Sequence, residues 1–168
     1  MNKKIRNYLL LVIVIFVSIC IMLIIGNIYK YVNSRKENRS YIVNKVKSYD
    51  FENIVKGIDD VKNNGLLYIS YIGNEKIYNF EKEFYKILKN KNLISKFVYI
   101  DCTKDVNNGK VDNLNDKLNV ITDQDITLPT IIYYKDGKPV DYIDSTNQVL
   151  TSDRLIQLIE KWEIDVND

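Results

Sequence analysis

The chain has two cysteines, Cys20 and Cys102, and no histidine. Without imidazole there is no Ser-His or Cys-His nucleophile and no His-ligated metal. Cys20 lies inside an apolar run near the N-terminus, so an intradomain disulfide and a Cys-rich zinc site are both excluded. Cys102 alone offers a sensor thiol, an intermolecular disulfide or a single-cysteine thiol oxidoreductase. Its plainer reading is a buried residue at a strand end. Asp101, Asp105, Asp112, Asp116, Asp123 and Asp125 cluster in sequence and invite a calcium reading. They lack the EF-hand spacing with its closing Glu, so a solvated polar face is expected instead. The expectation is therefore no catalytic residue, no metal and no cofactor.

The elements that position these groups begin with an anchor. Residues 9–25 are apolar apart from Ser18, and 8–28 spans the ~20 residues that a helix needs to cross a bilayer. Tyr8, Tyr29 and Tyr31 sit where interfacial aromatics belong. The run is longer than the apolar core of a cleaved signal and has no A-x-A-like site. Val17-Ser18-Ile19-Cys20 puts Ile where a lipoprotein signal needs a small residue. A retained single span is expected, behind a basic tail at 1–7. Three Lys/Arg precede it and four follow, so charge barely sets orientation. The short basic tail favours a signal anchor with the domain outside the cytoplasm, at the cell membrane.

Residues 29–40 read as a basic juxtamembrane linker or helix extension, and 41–168 as one domain. The first 40 residues carry seven Lys/Arg and one Glu, whereas 41–168 carry 17 Lys/Arg against 21 Asp/Glu. An acidic domain does not suit nucleic acid, where phosphate neutralisation supplies most of the affinity. Within it, 42–46 reads as a short edge strand. Asp50 is placed to cap a helix to Asn63 with Phe51, Ile54, Val55, Ile58 and Val61 inward. Asn64-Gly65 is expected to end that helix. Residues 66–72 form a strand too apolar for any place but the centre of a sheet. A helix over 75–88 carries the stripe Ile77, Phe80, Phe84, Ile87 and Leu88. A strand over 97–100 ends at Asp101-Cys102, and a short helix is expected over 111–118. Strands 130–134 and 140–143 are joined by Lys135-Asp136-Gly137-Lys138, a hairpin with Gly supplying the turn. Ser152 is placed to cap a last helix bearing Leu155, Ile156, Leu158, Ile159 and Trp162.

That order, βαβαβαββα with Pro129 ahead of the penultimate strand, resembles the thioredoxin-like superfamily across 42–164. Tyr71-Ile72-Gly73 further resembles the bacteriocin transport accessory branch, which follows Tyr-Ile-Gly with three residues and then Cys-x-x-Cys on a helix. Laid on this chain, those cysteines fall at Ile77 and Phe80, and 74–96 holds no cysteine in any register. Ser70 falls where redox-active relatives carry a buried acid. The resemblance implies a three-layer α/β domain with a cis Pro129. It also implies an edge at Leu128, Pro129 and Thr130 that accepts an extended peptide. Ile77 and Phe80 either line the degenerate site or simply continue the core stripe, and the helical spacing favours core.

The reading reached is a membrane-anchored, thioredoxin-like protein without dithiol redox activity. It binds a peptide or protein partner at the cell surface, and the balance is against an enzyme. A single-cysteine oxidoreductase using Cys102 and a structural subunit of a membrane assembly are the alternatives.

Overall fold

The computed structural model describes residues 3–37, 39–108, 111, 114, 118, 126–146 and 149–164. The chain divides into two compact units, Met1–Lys36 and Glu37–Asp168.

The first unit is built on one helix, α1 (Lys3–Glu37). Within it, Lys4–Val32 is long and apolar enough to cross a membrane, and none of that stretch is buried by protein. Leu9, Phe16 and Ile24 all stand exposed. The one polar side chain near mid-span, Ser18, donates back to the Val14 carbonyl at 2.8 Å, which satisfies its hydroxyl within the helix.

In the second unit the strands are β1 (Lys47–Asp50), β2 (Asn64–Ser70), β3 (Phe97–Asp101), β4 (Thr130–Lys135) and β5 (Lys138–Ile143). The helices are α2 (Ile54–Val61), α3 (Glu75–Asn90), α4 (Thr103–Asn107) and α5 (Ser152–Lys161). The sheet order is β1-β3-β2-β4-β5. β1, β3 and β2 run parallel, and β4 lies antiparallel to both β2 and β5. The element order is the expected βαβαβαββα on one mixed five-stranded sheet. Alternation along β2 divides the core. Leu66 and Tyr68 face a cluster with Phe84, Leu88, Leu155 and Leu158 from α3 and α5. Leu67 and Ile69 face Phe51, Ile54 and Val61 on the opposite side. Helices therefore cover both faces, and every β2 residue from Gly65 to Ser70 is buried.

Several boundaries differ from the sequence expectation, each for a local reason. The edge strand is 47–50 rather than 42–46. Ile42 is wholly buried in a turn against the α3–α5 face, and this apolar stretch packs as an irregular segment. Asp50 is a strand residue paired with Asp101, and its side chain caps nothing. A 3₁₀ turn, Phe51–Asn53, intervenes before α2, whose Val55 is 65 % exposed and so lies off the core stripe. Thr151, not Ser152, caps α5 by accepting from the Arg154 amide. The short helix expected over 111–118 lies mostly outside the described residues; Leu114 and Leu118 are buried there. The β4–β5 hairpin turns through Asp136 at φ 50° and Gly137 at φ 80°, the positive pair that a two-residue turn of this hand demands.

Asn64-Gly65 does not end a helix but opens β2. Gly65 is required there by space. A Cβ would stand 2.7 Å from the Lys96 carbonyl oxygen and 2.9 Å from Val61 Cβ, and the first is backbone that cannot rotate away. Gly65→Ala is expected to cost about 1–3 kcal/mol through this overpacking. Thermal unfolding of the detergent-solubilised protein should show a midpoint several degrees lower; an unchanged midpoint would mean β2 and Lys96 are further apart.

Candidate functional site

The site forms where β2 hands the chain to α3. Gly73, at φ 124°, lets the connecting loop turn. Asn74 caps α3, its side chain accepting from the Lys76 amide at 2.8 Å. The loop is tied sideways: the Ile72 amide donates to Thr103 Oγ1 at 2.8 Å, and the Thr103 amide donates to Asp101 Oδ1 at 2.9 Å. The start of α3 is thus fixed against the end of β3.

A second loop faces it. The Leu128-Pro129 peptide bond is cis. The Pro129 carbonyl accepts from Ser145 Oγ at 3.2 Å, and Thr130 Oγ1 donates to the Ile143 carbonyl at 3.2 Å. Asp144 gathers the neighbouring segments. Its carboxylate accepts from the Thr127 amide at 3.2 Å and from the Thr146 amide at 3.3 Å, with the Thr146 hydroxyl also bound. Arg154 Nη1 of α5 donates to the Asp144 carbonyl at 2.7 Å.

Between the two loops lies a groove of about 260 Å³. Tyr71, Ile77 and Phe80 form one wall; Leu128, Pro129, Val149 and Leu150 form the other, and Lys76 is the one charged lining residue among the described residues. The structure therefore brings Ile77, Phe80, Leu128 and Pro129 together. Thr130 is placed behind the groove, wholly buried within β4 and paired with Ile69. Ile77 and Phe80 serve as both core and groove. Ile77 is 7 % exposed, while Phe80 is half-buried, stacks on Phe84 at 5.4 Å and meets the Tyr68 ring edge at 6.1 Å. Sequence reasoning missed Ser145, Val149 and Leu150. They reach the groove from the turn before α5, remote in sequence and outside any periodic segment.

At this site the described residues offer apolar surface, one ammonium and no thiol. The Leu128 backbone carries no hydrogen bond among the described residues. Cys102 lies at the end of β3, wholly buried. Its Sγ donates to the Ser70 carbonyl at 2.9 Å. Burial, with the charges of Asp101 and Asp105 adding, pushes the thiol up to about 12. Asp101 and Asp105 share a polar hollow with Asp50, Glu52 and Lys104. Among the described residues no group of three His, Cys, Asp or Glu could hold a metal ion. Asp112, Asp116, Asp123 and Asp125 lie outside those residues.

No protein-family model matches the chain, and no curated protein matches it. Among solved structures it is similar to the oxidised thioredoxin of Plasmodium falciparum, at 21 % identity and a TM-score of 0.47, over 70 % of this chain and 98 % of that one. Thioredoxin f2 of Chlamydomonas reinhardtii matches at 15 % identity and a TM-score of 0.49, over 72 % and 99 %. Thioredoxin O1 of Arabidopsis thaliana matches at 13 % and 0.46, over 69 % and 96 %.

The surroundings of Cys102 give a direct expectation. In a Cys20→Ser background, Cys102 should react with an aromatic disulfide probe at pH 8 at least about a hundredfold more slowly in the folded protein than after denaturation, because the thiolate is the reactive form. Equal rates would place this thiol at the surface and revive single-cysteine chemistry.

Proposed function

We propose that this protein is a membrane-anchored, thioredoxin-like binding protein without dithiol redox chemistry. It holds an extended, apolar segment of a peptide or protein partner, in the manner of an accessory to peptide export or maturation, and belongs beside the bacteriocin transport accessory branch. The observation that carries the reading is the groove itself. Its walls are apolar, its helix side presents Ile77 and Phe80 where dithiol relatives would carry sulfur, and its opposite side presents the Leu128 backbone without a partner among the described residues. An exposed N–H and C=O flanked by apolar pockets is what strand-like pairing with an extended segment uses. Dithiol exchange needs a low-pKa thiolate with a second thiol in reach, and 74–96 contains no cysteine. The helix α1 supplies the anchor, with the domain outside the cytoplasm.

Binding is tested with a permanently unfolded model polypeptide, such as reduced and carboxymethylated lactalbumin, titrated into the full-length protein in detergent micelles. Chemical-shift changes should centre on Ile77, Leu128 and Val149, and Val149→Arg should weaken binding at least about tenfold. That variant should melt like the parent, because Val149 is 65 % exposed. Binding that ignores Val149→Arg would remove the groove from the reading. In an insulin-turbidity assay the protein should stay at background; thiol-dependent turnover would overturn the redox part. Protease added to intact cells should digest the domain, and a protected C-terminus would reverse the orientation.

A further inference from the structure

Glu81 stands on the apolar stripe of α3, four residues after Ile77 and three before Phe84, and is wholly buried. Its partners are neutral donors. Oε2 accepts from Ser40 Oγ at 2.7 Å and from the Tyr41 amide at 2.6 Å. Oε1 faces the Tyr68 hydroxyl, at 3.5 Å. Ser40 Oγ in turn accepts from the amides of Ile42 at 3.2 Å and Val43 at 3.3 Å. One carboxyl oxygen therefore organises the whole turn 40–43, whose Ile42 plugs into the α3–α5 side of the core.

The groups around that carboxyl come from four elements. β2 contributes Tyr68, and β3 contributes Tyr99, whose hydroxyl, like the Ser70 hydroxyl, is buried with no hydrogen-bond partner among the described residues. α3 contributes Tyr78, and the N-terminal turn contributes Ser40 and Tyr41. The cations of this region are engaged with rings. Arg39 Nη2 donates to the Tyr78 hydroxyl at 3.0 Å, and Lys45 Nζ lies over the Tyr41 ring. Lys82 and Lys86 act on Tyr41 from outside. Among the described residues none forms an ion pair with Glu81.

Full burial with no cation among the described residues opposes the charge, whereas the Ser40, Tyr41 and Tyr68 donors favour it, and burial outweighs them. Oε2 can serve both donors as a carbonyl oxygen, while Oε1 is left to carry the proton. A buried carboxylate without a cation is costly. We propose that Glu81 is a proton-controlled clamp: as the neutral acid it holds the turn 40–43 on the α3 face, and its ionisation releases that turn. Because β1 begins at Lys47, release turns residues 40–46 into free chain with a reach of roughly 25 Å. The clamp thus sets how much slack leads into the domain, whatever the groove binds.

The direction follows from linkage. Burial raises the Glu81 carboxyl to about 7, against an ordinary value of 4.5, with the Ser40 and Tyr41 hydrogen bonds offsetting part of the rise. Between those values the clamped form holds a proton that the open form does not. Clamping is therefore fully present below the lower value and lost as pH rises through the upper one. The opening equilibrium should grow about tenfold per pH unit across that window and level above it.

Amide hydrogen exchange on the full-length protein in micelles, from pH 5 to 8.5 and corrected for intrinsic base catalysis, tests this. The Tyr41 amide should open more readily than that of Leu67 in β2, with an opening constant rising on the order of 30-fold or more between pH 5 and 7, then level. Glu81→Gln keeps the carbonyl acceptor without the charge, so its Tyr41 opening constant should be flat and low throughout. Ser40→Ala removes a donor that favours the ionised form, so the levelling point should move to higher pH. A wild-type opening constant independent of pH would overturn the clamp. So would Tyr41 exchange identical to that of Leu67, persistence of the pH dependence in Glu81→Gln, or an unmoved profile in Ser40→Ala.

Discussion

The structure depends on β2 being buried on every side. It pairs with β3 in parallel and β4 in antiparallel register, and from Gly65 onward none of its side chains stands in water. A strand in that position must satisfy its backbone entirely through neighbours, because no water reaches it. The parallel partner needs a crossover helix, and α3 provides it; the antiparallel partner returns the chain from the other edge. Burial of alternate β2 side chains on two faces then calls for helices on both. α2 meets one face and α3 with α5 the other, which makes the domain three-layered.

The groove is a by-product of that constraint. β2 ends at Ser70 and β4 starts at Thr130, so the loops beyond them emerge at the same sheet end. Two sets of hydrogen bonds brace the loops: Thr103 and Asp101 on the α3 side, and Asp144, Ser145 and Arg154 on the Pro129 side. The groove between them is apolar because Ile77 and Phe80 belong to a helix stripe whose lower turns are core. The same stripe that packs the domain supplies one wall of the groove, so Ile77 and Phe80 belong to both.

Glu81 is the exception that this stripe admits. An apolar residue there would pack more cheaply, since removing a carboxyl from water without a cation opposes folding. What the carboxyl provides instead is an acceptor for Ser40 and Tyr41, placing the turn ahead of β1 on the helix. Cys102 is buried as well. Its thiol is held to the Ser70 carbonyl, and burial pushes it up, which favours the neutral form.

Much of this was legible along the chain. The apolar run at the N-terminus, the order of strands and helices, the central position of β2 and the absence of thiols at 74–96 follow from composition and periodicity, because burial demands apolar residues at periods of two and 3.6. The hairpin at Asp136-Gly137 was readable because positive φ has few tenants. The stretch 42–46 misled because an apolar turn and an apolar strand look alike over five residues. Gly65 misled because a glycine after a helix suggests a cap, whereas here the carbonyl of Lys96 forbids a Cβ. Only tertiary structure set Val149 and Leu150 against Ile77, and Glu81 against Ser40, since those contacts join segments with no local pattern in common. Local sequence sets which faces must be buried; which distant groups meet there is decided by how the sheet ends and its covering helices pack in three dimensions.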